Sequence, residues 1–278
     1  VTNRAWGKIG RPAGQGLMWV LTLLYVYPIL LVLLSAVKSK SELAIHPFSW
    51  PKHWTFESFS KAIDTMHYFR SLLNTVGIAA VSVAGVVVMA AMAAYAISRR
   101  DNRFYRAMYL VFLAGMIIPF QMAMIPLYKV LQTLYLINTY PGVVFIYLGM
   151  LAPFSVFILS GFVKGVPKEL EEAALVDGSG TYKTFFRIVL PLLKPAVTTV
   201  TVLNLFNVWN DFLMPMLYLS DSKKGTITVQ LSAFQGMYNN DWSLIFAGVC
   251  LIVVPMLVIY LFAQRFIISG ITAGAVKG

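Results

Sequence analysis

Six long apolar runs constrain this chain more than any other feature. They extend from Leu17 to Val37, Leu72 to Ile97, Ala107 to Tyr128, Pro141 to Val163, Ala196 to Leu219 and Ser243 to Ala263. A helix needs roughly 20 mostly apolar residues to cross the hydrocarbon core of a bilayer, where every backbone polar group has to be satisfied within the segment. Each run is long enough. The predicted fold is therefore all-α, a polytopic membrane helix bundle with six transmembrane helices. With 59% hydrophobic and 12% charged residues and a mean hydropathy of +0.74, the chain is too apolar for a soluble domain. Asp211 is the one charge inside a run.

A net charge of +11 would ordinarily point to nucleic acid, but the basic residues stand at the ends of apolar runs, as in a membrane protein, so no nucleic-acid partner is expected. One set comprises Arg4, Lys8 and Arg11, then Arg99, Arg100, Arg103 and Arg106, then Lys164, Lys168, Lys183, Arg187 and Lys194, and finally Arg265 and Lys277. The opposite side carries fewer: Lys38, Lys40, Lys52, Lys61, Arg70, Lys129, Lys223 and Lys224. The positive-inside bias places both termini and the stretch 164–195 in the cytoplasm. Cys250 is the single cysteine and permits no internal disulfide. No small-residue cleavage site follows the first run, so it reads as a span rather than a signal peptide.

The stretch Val166 to Pro195 is the long polar interruption that looks built for a partner. Pro167 suits a first helical turn, Glu169, Glu171 and Glu172 complement the positive end of the helix dipole, and Gly178 ends the helix. Leu170, Ala173 and Ala174 make a narrow small-residue face open to close approach. A second helix is expected to carry Tyr182, Phe185, Phe186 and Val189 on one face and to end at Pro191 and Pro195.

Glu172-Ala173-Ala174, Gly178, Ile188, Leu190 and Pro191 reproduce the spacing EAA-x3-G-x9-I-x-LP, with Asp177 before the glycine. This pattern resembles the cytoplasmic signature loop of the membrane subunits of bacterial ATP-binding-cassette importers, and its surroundings resemble the smaller maltose-type permease of the carbohydrate branch. The resemblance covers nearly the whole chain. It implies a single transmembrane domain over 1–278, with a core at 72–263, a coupling loop at 164–195 and a C-terminal tail at 264–278. It further implies a bacterial inner-membrane permease that passes a sugar or oligosaccharide, working with a second permease subunit, two ATPase subunits and an extracytoplasmic solute-binding protein. In that setting Glu172 makes a charge or hydrogen-bond contact with the ATPase, Ala173 and Ala174 pack in its groove, and Gly178 turns the chain between two helices.

The remaining features leave alternatives open. The fifth run aligns Asn204, Asn207 and Asp211 at i, i+3 and i+7. A charge at the bilayer centre costs about 2.5–3.5 kcal/mol on insertion scales, so Asp211 faces either a water-filled pathway or polar neighbours near the outer interface. Ala80 with Ala84, and Ala90 with Ala94, offer small-residue ridges for helix packing. The outer stretch from Ser41 to Arg70, with Trp50, Trp54 and all three histidines, either docks a partner or lies in the headgroup belt. His46, His53 and His67 match no zinc spacing. The second sizeable outer loop, Ser220 to Trp242 with Lys223, Lys224, Asn239 and Asn240, is where the family's solute receptor makes contact. The ending from Gly270 reads as a tail too glycine-rich for a further helix, which in the resembling permeases reaches the ATPase.

The chain has no Gly-x4-Gly-Lys-Ser/Thr loop, so no cofactor is expected on it, and ATP and Mg belong to the partner ATPase. A secondary transporter working without an ATPase is the alternative; it requires inverted repeats and a chain of intramembrane ionisable groups, and neither is visible. An intramembrane enzyme requires a nucleophile–base pair or a His-Glu-x-x-His motif, also not found.

Overall fold

Prolines and one aspartate decide which of the apolar runs remain straight helices. The computed structural model describes residues 6–236 and 240–275, with side chains over 14–236 and 240–264. Arg4, Asn239, Val276, Lys277 and Gly278 lie outside the described residues. In chain order the helices are α1 (Trp6–Ala36), α2 (Lys40–Ile45), α3 (Glu57–Thr65), α4 (Tyr68–Arg99), α5 (Arg103–Ile117), α6 (Met124–Thr133) and α7 (Tyr140–Lys164). They continue with α8 (Glu169–Val176), α9 (Thr181–Thr184), α10 (Leu190–Leu192), α11 (Lys194–Asn210), α12 (Leu213–Tyr218), α13 (Ile227–Leu231) and α14 (Trp242–Ala275). Strands are absent among the described residues.

Four helices hold a straight apolar length sufficient for a membrane: Gly14–Ala36, Tyr68–Arg99, Tyr140–Lys164 and Trp242–Gln264. The segments 103–133 and 181–210 are bent pairs, giving up to six when each pair counts as one. The run from Ala107 to Tyr128 is not one helix: Arg103–Ile117 meets Phe120–Thr133 at 97°. Pro119 is the cause, because it forces Ile118 into an extended conformation (ψ 120°) and offers no N–H to continue the ladder. The run from Ala196 to Leu219 likewise breaks at Asp211, which is extended (ψ 125°) between α11 and α12. At the C-terminus the tail expected to fray continues α14 as backbone helix through Ala275. Extending a formed helix costs little per residue even across glycine, whereas nucleating a separate one is unfavourable.

The chain forms two units. The first comprises Val1–Tyr68 with Leu231–Val254. Here Lys38, two residues past α1 and fully buried, donates through Nζ to the carbonyls of His46 and Pro47 at 3.0 Å each. Lys40 pairs with Asp241 at 2.9 Å, and the Tyr68 hydroxyl donates to the Leu251 carbonyl at 3.0 Å.

The second unit comprises Phe69–Gln230 with Pro255–Gly278 and holds two apolar cores. In one, Ile78, Ala79, Val83 and Val86 of α4 meet Val143, Ile146, Tyr147 and Leu151 of α7, with Val208, Met214 and Tyr218 beyond. In the other, Ala90, Ala91 and Ala94 of α4 meet Val156, Leu159 and Val163 of α7, together with Phe185, Val189, Ala196 and Val200. The small-residue ridge is therefore Ala90, Ala91 and Ala94, while Ala80 and Ala84 face outward. Gly142 opens α7 against the preceding loop, where a Cβ would lie 2.1 Å from the Leu136 carbonyl oxygen.

Candidate functional site

The acidic start of α8 is placed by its own charges: Glu169, Glu171 and Glu172 lie in its first turn, where exposed N–H groups favour anions. Its end is a Schellman motif. The Ser179 N–H donates to the Ala174 carbonyl at 2.8 Å and the Gly178 N–H to Leu175 at 3.0 Å, with Gly178 at φ +75°. That left-handed conformation strains any residue with a Cβ, although nothing else lies within 4 Å of where the Cβ would be.

The two central glutamates part company. Glu171 and Ala174 turn inward and are buried, whereas Glu172, Ala173 and Asp177 are exposed. Leu170 and Val176 also lie open, Val176 at 88% exposure. Glu171 meets the C-terminal end of α4: its Oε1 accepts from Arg99 Nε at 2.7 Å and lies 2.7 Å from Arg99 Nη2, and its Oε2 accepts from the Tyr95 hydroxyl at 2.8 Å. Arg99 Nη2 also donates to the Val166 carbonyl at 2.8 Å. Sequence reasoning missed this cluster, counting Glu171 as a helix-dipole charge and Arg99 as an inside-positive one. No local signal marks it, because the partners Tyr95 and Arg99 lie 76 and 72 residues away.

After Gly178 the expected second helix is rearranged. Phe185 and Val189 are buried, but Tyr182 and Phe186 are exposed, so the four do not share a face. A π turn from Phe185 to Val189 widens the helix and offsets the spacing, and Phe185 stacks on Tyr95 with ring centroids 5.1 Å apart. Pro191 does not terminate it. The proline sits in the first turn of α10, where its missing N–H follows the widened turn, and the chain bends by 77° only at Leu193. Ile188 and Leu190 are half-buried and Pro191 is exposed. Between α4 and the start of this segment lies a cavity of about 420 Å³ lined by Met92, Tyr95, Arg99, Arg100, Tyr182 and Phe185.

The polar residues of the fifth run do not converge. Asn204 is fully buried and donates to the Ser155 hydroxyl at 2.9 Å. Asn207 is exposed and donates back to the Leu203 carbonyl. Asp211 has left the helix. Its Oδ2 accepts from the Tyr147 hydroxyl at 2.9 Å and its Oδ1 from the Leu213 N–H at 2.9 Å, so it caps the start of α12. Asn204 and Asp211, seven residues apart, both reach α7, through Ser155 and Tyr147, while Asn207 is exposed.

Among the described residues no group of three or more His, Cys, Asp and Glu side chains is placed to hold a metal ion. The described residues form an all-helical domain with helices long and apolar enough to cross a membrane and one short acid-led helix, α8. The chain belongs to the binding-protein-dependent transport system inner membrane component family, whose model matches residues 86–269.

It is 33% identical over 94% of its length to the diacetylchitobiose uptake system permease protein NgcG of Streptomyces coelicolor, covering 86% of that protein. It is 34% identical over 93% to a probable starch degradation products transport system permease protein, AmyC, of Thermoanaerobacterium thermosulfurigenes, covering 94% of it. The melibiose/raffinose/stachyose import permease protein MelC of Bacillus subtilis is 34% identical over 90% of this chain and 91% of its own. The fold matches a chain of a bacterial ABC transporter involved in alginate import, with a TM-score of 0.83 at 20% identity, covering 95% of this chain and 98% of that one.

Proposed function

We propose that this chain is one of two permease subunits of an ATP-driven bacterial importer and forms half of the pathway for a sugar or oligosaccharide delivered by an extracytoplasmic solute-binding protein. The observation that carries this reading is the division of α8: one side is pinned to the bundle through Glu171, and the other leaves Leu170, Glu172, Ala173 and Val176 open for a partner. The relatives named for chitobiose, starch-product and melibiose uptake support a carbohydrate cargo.

In this reading α8 seats in a cleft of one of two ATPase subunits, which bind the ATP and Mg. Glu172 and Asp177 meet polar groups there, Ala173 and Ala174 keep the approach close, Gly178 preserves the turn, and Ile188, Leu190 and Pro191 hold the following segment on the bundle. Both termini and α8 are cytoplasmic, in line with the distribution of Lys and Arg. Of the fifth-run residues, Asn207 is the one left open to line a pathway, since Asn204 and Asp211 are engaged in packing and capping.

Glu172→Lys and Gly178→Val test the docking role in cells carrying the full transporter. Uptake of the sugar found by mass spectrometry in the co-purified binding protein falls at least tenfold while the chain still inserts to its normal level. Unchanged uptake, or pumping by the reconstituted chain alone under an ion gradient, overturns the proposal.

A further inference from the structure

The geometry points to Arg99 and Glu171 as positioning residues that clamp α8 to α4, making α4 the span that follows α8 when the ATPase moves. The inference rests on the docking of α8 proposed above and names the route from there. By chain connectivity α8 is attached to α7 on one side and α11 on the other. Neither link is a continuous helix: the first passes through the turn at Gly165, the second through Gly178, the π turn and the 77° bend. No such linker separates α8 from α4, which is 72 residues away in sequence at the Arg99–Glu171 contact.

The contact is built as a clamp. One carboxylate receives Arg99 Nε, Arg99 Nη2 and the Tyr95 hydroxyl, while Nη2 also holds the Val166 carbonyl, so the end of α4, the exit of α7 and α8 meet at one guanidinium. The side chains of Arg99 and Glu171 are only 11% and 12% exposed. A carboxylate removed from water to that extent needs its cation, and separating the pair leaves a buried charge uncompensated, so the two parts resist moving apart. Above the clamp, α4 contributes side chains to both apolar cores of its unit, Ala90, Ala91 and Ala94 to one and Ile78, Ala79, Val83 and Val86 to the other. At 32 residues it is a lever about 48 Å long.

The test uses the assembled transporter in lipid nanodiscs, with spin labels at Val176→Cys and Leu73→Cys in a Cys250→Ser background. Both labelled positions are exposed. In the native chain the label distance is narrow and equal in the nucleotide-free and ATP–vanadate states. Glu171→Gln splits or shifts it on trapping while ATP turnover per complex stays within about twofold, and the exchange Arg99→Glu with Glu171→Arg restores one narrow distance, a rescue that double-variant coupling alone explains. A Glu171→Gln complex whose distance stays narrow and unmoved overturns the clamp. Should Glu171→Gln fail to assemble, Tyr95→Phe, which removes only the phenol donor, decides by the same readout. A cross-link from Ala173→Cys to the ATPase tests docking separately: if it is missing while Glu171→Gln still broadens the nucleotide-free distance, docking fails and the clamp stands.

Discussion

Tyr147 of α7 and Asp211, just past the end of α11, are joined by a 2.9 Å hydrogen bond from the phenol to Oδ2, and the other carboxylate oxygen of Asp211 caps α12. The Asp211 carbonyl is engaged as well, accepting from the Thr228 hydroxyl at 2.8 Å. The residue that carries the one charge inside an apolar run is thereby held by three neighbours of its own chain, two of them at the carboxylate. Asp211→Ala is expected to lower stability by about 1–3 kcal/mol through the lost cap and charged hydrogen bond, and Tyr147→Phe by about 1 kcal/mol. Thermal unfolding in detergent checks both. Full stability of Asp211→Ala with impaired uptake would instead favour a pathway role.

Glu171 and Glu172 are adjacent and chemically identical, yet opposite effects are expected of them. Glu171→Gln strips the buried Arg99 of its counter-charge and should cost about 3 kcal/mol, the lower range for breaking a buried pair. Glu172→Gln alters an exposed site and should stay within about 0.5 kcal/mol. Unfolding midpoints of the two variants measured side by side decide the matter, and equal midpoints would contradict the assignment of inward and outward faces.

Gly142 is required by approach rather than by dihedral angle. Its absent Cβ would stand 2.1 Å from a backbone oxygen, that of Leu136, which cannot rotate away as a side chain end would. Gly142→Ala therefore has to move the turn before α7, and a loss of about 3 kcal/mol, the upper range for overpacking, is expected. Gly149→Ala, on the same helix with open space around it, serves as the control and should be near neutral. The yield of monodisperse protein and its melting temperature report the difference.

Acid should loosen the contact between α2 and the start of α14 in the first unit. Burial pushes the Asp241 carboxyl up, but hydrogen bonds from Lys40, Ser243 and the Leu244 N–H outweigh it and hold the group below its ordinary 3.8. In the unfolded chain this carboxyl takes its proton first. The contact therefore stabilises fully above about pH 3.8 and loses its contribution as the pH falls through the lower folded value. Lys40 is 64% exposed, so the contribution is at most about 1 kcal/mol. Amide exchange at Leu244 and Ile245 should accelerate below that pH beyond the change in intrinsic exchange rate, and Asp241→Asn should remove the extra acid dependence.

The all-helical membrane character, the helix at 169–176 and its stop at Gly178 were legible in the sequence, because each depends on residues within a few turns of one another. An apolar length satisfies its own backbone, acids gather where N–H groups are free, and glycine takes the left-handed turn at little cost. Local patterning was not enough where a residue's partner lies far along the chain. The helical spacing of Asn204, Asn207 and Asp211 does not show that two of the three are taken up by α7, since Ser155 and Tyr147 lie 49 and 64 residues away. Likewise, nothing local distinguishes Glu171 from Glu172. Only the folded bundle, by bringing Arg99 and Tyr95 beneath one of them, decides which glutamate is buried in an ion pair and which stays exposed.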